Sequence, residues 1–304
     1  MNKTEMIDST QTSAFSKPAA NPSVQASIWH KLPDLLALVI LSVGAILMML
    51  PFLWMFSTSL RPIQESFKLP PAWFPTEFHF ETYSAVFSSS VPLVAFALNS
   101  VKVTFFVTLG QLITCSMAGY AFARLRFKGR DLLFSALLAT LMLPYVVIMI
   151  PIYVMFSKVG WINTLLPLIV PAYFGDAFFI FLLRQFFRTI PMELEDAARI
   201  DGASRPRVLF QIMVPLARPA IIVVTIQSVL GEWNAFMQPL IFLTKRSVWT
   251  LALGLNSLQR FETGRDWTHY MMVLGVFMVI PVVIMYFLAQ REFIQGIALT
   301  GMKA

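Results

Sequence analysis

Long apolar runs alternate with short charged stretches along this chain, and the length of the runs decides its class. A helix rises about 1.5 Å per residue, so crossing a bilayer core takes about 20 mainly apolar residues in succession. Residues 35–56, 103–123, 132–156 and 270–289 meet that length with no formal charge. Residues 165–183 and 220–243 meet it with one acid each, Asp176 and Glu232. The pattern predicts an all-α polytopic membrane protein with six transmembrane helices. Between the fourth and fifth runs lies a polar, helix-prone stretch, residues 191–215.

Composition agrees with lipid as the solvent. With 57% apolar and 13% charged residues, and a mean hydropathy of +0.71, too little polar surface exists to coat a water-soluble globule. The net charge of +7 reads as a topology signal, because Lys and Arg in short loops stay on the cytoplasmic side. Placing the N-terminus inside puts Lys3, Lys17 and Lys31 there. The same side then takes Arg124, Arg126, Lys128 and Arg130, and after them Arg184, Arg188, Arg199, Arg205, Arg207 and Arg218. Both termini and the 191–215 stretch then face the cytoplasm. No basic patch interleaved with aromatics suggests a nucleic-acid partner.

Residues 1–31, rich in Ser, Thr, Asn, Gln, Ala and Pro, read as a disordered cytoplasmic tail and not as a cleavable signal. Residues 32–290 form the membrane domain, with a cytoplasmic loop at 187–217 and outer segments at 57–92 and 244–269. Residues 291–304 are a cytoplasmic tail. The prolines and aromatics of 57–92, among them Trp73, Phe74, Phe78 and Phe80, suit an ordered outer cap. His30, His79 and His269 share no ligand spacing, and the lone Cys115 lies inside a run, so no metal site and no disulfide framework are expected.

In the polar stretch, Pro191 suits a first helical turn, and Glu193, Glu195 and Asp196 favour the positive end of a helix dipole. Ala197, Ala198 and Arg199 are strong helix formers. Gly202 can take the left-handed conformation that ends the helix, and Ser204 can cap the next one. The prediction is helix, tight turn, helix. An interfacial helix lying on lipid would carry a basic row, whereas this first helix is acidic and small-sided, which suits a protein groove.

This stretch resembles the EAA motif of the membrane subunits of binding-protein-dependent ABC importers. Asp196-Ala197-Ala198 stand at the Glu-Ala-Ala positions; Gly202 follows after three residues and Ile212 after nine more, with Val214-Pro215 closing the pattern. Asp196 and Val214 depart mildly from it, and Glu195 can supply the longer carboxylate if the register slips by one. From residue 35 onward the chain is similar to maltose-type carbohydrate permeases, notably in Ile200–Ser204, in Glu232-Trp233-Asn234, and in the C-terminal segment from Gln290. The resemblance implies a multi-pass permease of the bacterial inner membrane that imports a carbohydrate. Its implied partners are a second, homologous permease subunit in a heterodimer, a cytosolic ATPase dimer and an extracytoplasmic solute-binding protein. It implies ATPase coupling through Glu193, Glu195, Asp196, Ala197, Ala198, Asp201, Gly202, Ile212 and Pro215. No Gly-x-x-x-x-Gly-Lys-Ser/Thr run occurs, so the chain is expected to take no cofactor and to hold no catalytic residue: ATP and Mg belong to the partner ATPase.

Polar groups at membrane depth are costly unless they face a cavity or a partner, which singles out Asp176 and Glu232. Gly175, Pro167 and Pro171 predict that the fourth run unwinds beside Asp176. Tyr173, Phe174 and Phe178 offer an aromatic platform, with Glu232, Trp233, Asn234 and Gln238 in the fifth run, for a path that stacks a sugar ring and bonds its hydroxyls. The same residues serve equally as helix-packing contacts. A non-sugar cargo such as a glycerol phosphate, polyol or osmolyte remains the alternative. A secondary transporter would usually carry inverted repeats and paired broken spans with buried charge in both halves, and the sequence shows one such broken span.

Overall fold

Every assigned element is a helix in the computed structural model, which describes residues 24–61, 73–88, 92–261 and 268–301. In chain order these are α1 (Val24–Ser59), α2 (Glu81–Ser88), α3 (Leu93–Arg124), α4 (Arg130–Thr140), α5 (Tyr145–Lys158) and α6 (Leu166–Ile169), the last continued by a 3-10 turn at Val170–Phe174. Then follow α7 (Ala177–Thr189), α8 (Met192–Ile200), α9 (Arg205–Val208), a π-helical turn at Leu209–Met213 and α10 (Val214–Leu216). The chain ends with α11 (Arg218–Trp233), α12 (Met237–Phe242), α13 (Leu251–Phe261) and α14 (Thr268–Gly301). Four stretches are long and apolar enough to cross a membrane, Leu35–Ser59, Leu93–Arg124, Leu166–Thr189 and Tyr270–Leu288. The number rises to six if each of two bent pairs counts as one span.

The third and fifth runs both depart from the simple run-length picture. The third run is not one helix: Pro144 lacks the N–H that a helix interior needs, and α4 and α5 meet at 98° across residues 141–144. The fifth run stops as a helix at Trp233, and α12 resumes after a break at 234–236. Upstream, Pro219 stands at the start of α11, which turns 84° from the Arg205–Leu216 segment. Beyond residue 290 the chain continues in helix, since α14 runs to Gly301. The expected N-terminal tail lies outside the described residues as far as residue 23, and α1 begins at Val24.

Met1–Leu53 and Trp54–Ala304 form separate units. In the first, α1 displays its apolar side chains outward, Ile40, Leu41 and Met48 all more than two-thirds exposed, a surface that requires lipid or another subunit. In the second, α3 and α7 pack along one another. Gly119 permits the close approach, because a Cβ there would lie 3.0 Å from Leu183 Cβ and 3.2 Å from Arg184 N. Around this contact Cys115, Ile180, Leu183, Phe187, Val208 and Met213 form one core cluster. A second gathers Phe96, Trp233, Leu251 and Leu274, and a third gathers Val107, Phe156, Leu168 and Phe242. In the segment before α2, Trp54 meets Trp73 edge to face at 5.4 Å, and Ser57 donates to the Trp73 carbonyl. Pro62, Pro70 and Pro71 of the expected cap lie outside the described residues. Asn163 adopts a positive φ of 65°. Its Oδ1 accepts from the N–H groups of Thr244 and Lys245, and its own N–H donates to the Phe242 carbonyl at 2.9 Å.

Candidate functional site

Two places in the second unit carry polar groups that packing alone does not explain, a cleft among the helices and the hairpin formed by α8 and the segment after it. The cleft follows from the unwound fourth run. Pro167 stands in the first turn of α6, Pro171 limits that helix to one turn, the chain tightens into the 3-10 segment, and Gly175 breaks it at φ +89°. Asp176 then restarts the helix as N-cap of α7, its carboxylate accepting from the Phe179 N–H at 3.0 Å. Its own N–H donates to Cys115 Sγ at 3.2 Å.

The resulting cavity, about 260 Å³, is lined on one side by Val107 and Gln111 of α3 and by Gly175 and Asp176. Tyr145 and Phe156 of α5, Glu232 of α11, and Gln238 and Phe242 of α12 complete its polar and aromatic lining. Among the described residues, no Lys, Arg or His lines it. Gln111 Oε1 is buried without a hydrogen-bond partner among the described residues. Residues flanking the breaks in the third, fourth and fifth runs therefore all line one space.

The structure divides the sequence-derived path residues. Asp176, Glu232 and Gln238 line the cavity. The remaining five do not. Trp233 is buried in another cluster and donates its indole N–H to the Met278 carbonyl at 3.0 Å. Asn234 caps α11, its amide donating to the Leu230 carbonyl. Tyr173 packs its ring against Gly110, Phe174 is 84% exposed, and Phe178 is exposed as well. The aromatic platform of the cavity is instead Tyr145, Phe156 and Phe242. Sequence reading missed Tyr145 and Gln111; Pro144, which breaks the third run, was the available signal for the first.

The hairpin forms as its sequence predicts, with detail added. Pro191 stands just before α8, in extended conformation, not within its first turn. Glu193 and Glu195 lie in that first turn and Arg199 in the last, complementing the helix dipole. The end is a Schellman motif: Gly202 at φ +81° donates to the Arg199 carbonyl, and Ala203 donates to the Ala198 carbonyl. A Cβ on Gly202 would meet nothing within 4 Å, so the backbone conformation, not crowding, calls for glycine there. Ser204 precedes α9 but makes no side-chain cap bond.

Glu193, Asp196, Ala197, Asp201 and Gly202 are exposed, as is Pro215, whereas Ile212 is half-buried against the first core cluster. Glu195 and Ala198 face the other way and are buried, which corrects their expected place on an accessible docking face. Glu195 Oε1 accepts from the Tyr120 hydroxyl at 2.7 Å, and its Oε2 lies 3.9 Å from Arg124 Nε. The cause is helical periodicity: residues 195 and 198 share the stripe turned toward α3, while 193, 196 and 197 lie on the other side.

Comparison with known proteins agrees with this geometry. Residues 112–298 match the family described as binding-protein-dependent transport system inner membrane component. The chain is 30% identical over 274 residues to the lactose transport system permease protein LacG of Rhizobium radiobacter, covering 90% of this chain and 98% of that protein. It is 31% identical over 261 residues to the arabinooligosaccharides transport system permease protein AraQ of Halalkalibacterium halodurans, covering 85% of this chain and 92% of that one. Its fold is that of a chain from a bacterial ABC transporter involved in the import of the acidic polysaccharide alginate. The TM-score is 0.77 and the identity 22%, over 90% of this chain and all of the other.

Proposed function

From the premise that this chain belongs to the binding-protein-dependent transport system inner membrane components, we propose that it is one permease subunit of an ATP-driven carbohydrate importer. The α4–α5 pair counts as one span and α11 continued by α12 as another, giving six spans with both termini cytoplasmic. The chain hydrolyses nothing. ATP and Mg are bound by a separate ATPase dimer that docks on the exposed face of α8. A second, homologous permease completes the path, and a solute-binding protein delivers the cargo. That the relatives transport lactose and arabinooligosaccharides supports a sugar over other solutes.

The observation that carries the coupling role is the hairpin. It presents Glu193, Asp196 and Ala197 outward on a short helix stopped by a Schellman motif, so it moves as one body and offers acids to a basic groove. The cavity supports the cargo class. Asp176, Glu232, Gln111 and Gln238 supply acceptors and amides for hydroxyl groups, Tyr145 and Phe156 supply apolar faces, and two carboxylates with no lining cation favour a neutral sugar over an anionic one.

The test is a photo-reactive residue at Ala197 in cells expressing the complete transport system. Capture of a nucleotide-hydrolysing chain is the expected result; capture of lipid alone would overturn the coupling role.

A further inference from the structure

Glu195 lies inside the coupling sequence yet is 5% exposed and turned from any docking partner. A carboxylate is not buried for solubility, and burying one without a compensating cation is costly. Its partners show what it holds. Tyr120 and Arg124 sit on the last two turns of α3, and Glu195 touches both. Arg124 reaches further: its Nη2 donates to the Phe187 carbonyl at 2.7 Å and also to the Ile190 carbonyl, at the C-terminal end of α7. One carboxylate and one guanidinium therefore join α8, α3 and α7.

Those last two helices also hold the cavity. Gln111 lies nine residues before Tyr120 on the unbroken α3, about 13.5 Å along its axis. Asp176 caps the far end of α7. A displacement of α8 delivered at this junction thus acts on two rods whose other portions carry cavity-lining groups.

We infer that Glu195 is a positioning residue which, with Tyr120 and Arg124, forms the joint passing the movement of α8 into α3 and α7. The inference rests on the proposed coupling role of α8. The joint is not fully closed. Arg124 Nε and Glu195 Oε2 lack a hydrogen bond among the described residues, and their 3.9 Å separation leaves room to tighten as the hairpin shifts.

The experiment uses the assembled importer in nanodiscs, with its ATPase and sugar-loaded binding protein, and three variants: Glu195→Ala, Glu195→Gln and Tyr120→Phe. All three are expected to retain the ATPase on purification. Stimulated ATP hydrolysis and cargo moved per ATP should both fall roughly tenfold in Glu195→Ala and about threefold in the two milder variants. A spin-label pair at Met117→Cys and Ile200→Cys, both exposed sites, should give a narrow distance distribution that broadens in Glu195→Ala. A role in stability alone would lower the unfolding temperature and leave cargo per ATP unchanged. Unchanged coupling and an unbroadened distance in all three variants overturn the joint. Loss of the ATPase from Glu195→Gln also overturns it, making Glu195 a docking residue. Should Glu195→Ala fail to accumulate in the membrane, Glu195→Gln and Tyr120→Phe decide by the same readings. A wild-type protein that binds no ATPase would sink the proposed function instead, while the label distance in that same purified protein still tests the joint.

Discussion

Glu232 and Trp233 are neighbours in sequence with opposite surroundings, one lining the cavity and the other sealed in a core cluster with its indole bonded to Met278. Helical periodicity turns adjacent side chains about 100° apart, so proximity to an informative acid says nothing about its neighbour. Glu232→Gln or Asp176→Asn should therefore raise the half-saturating sugar concentration for uptake several-fold while leaving ATPase association intact. Trp233→Phe should leave that concentration unchanged and cost about 1 kcal/mol of stability through its lost hydrogen bond. Uptake kinetics beside thermal unfolding of the purified complex separate the two outcomes. Gly202 gives a third case. A β-branched residue forced into its left-handed conformation costs roughly 1–2 kcal/mol, so Gly202→Val should reach the membrane in normal amount yet lose sugar-stimulated ATP hydrolysis. Normal stimulation in that variant would count against the hairpin's role.

Among the elements, what the sequence made legible was whatever depends on local chemistry. The unwinding beside Asp176 was readable because Pro167, Pro171 and Gly175 each remove a requirement of a continuous helix. The end of α8 was readable because Gly202 suits the left-handed turn. Two features were not. The third run counts as one span by length, and Pro144 is a single residue in a long apolar stretch where lipid-buried helices tolerate proline. The inward turn of Glu195 depends on the exact phase of α8 against α3, which only tertiary packing fixes. The α3–α7 contact yields its own prediction. Valine at Gly119 would push against Leu183 and the Arg184 backbone, an overpacking that costs about 1–3 kcal/mol. Gly119→Val should lower the unfolding temperature in detergent, and Gly119→Ala should lower it less.

Across the whole molecule, the proposed orientation fixes which exposed residues face the cytoplasm. Single cysteines at exposed Ile200 and Lys245 lie on opposite sides of the membrane in the proposed topology. A membrane-impermeant maleimide applied to intact spheroplasts should label the cysteine at 245, and label that at 200 only after permeabilisation. The reverse pattern would invert the topology and remove the hairpin from any cytosolic ATPase. Between the proposed outer ends of the spans, Asn163 gathers the N–H groups of Thr244 and Lys245 while donating to Phe242. One amide side chain thereby knots the connector after α5 to the connector after α12, two stretches some eighty positions apart. Their backbone amides should exchange with solvent at a common, slow rate. Any rocking of this subunit must then carry both connectors along as a single hem.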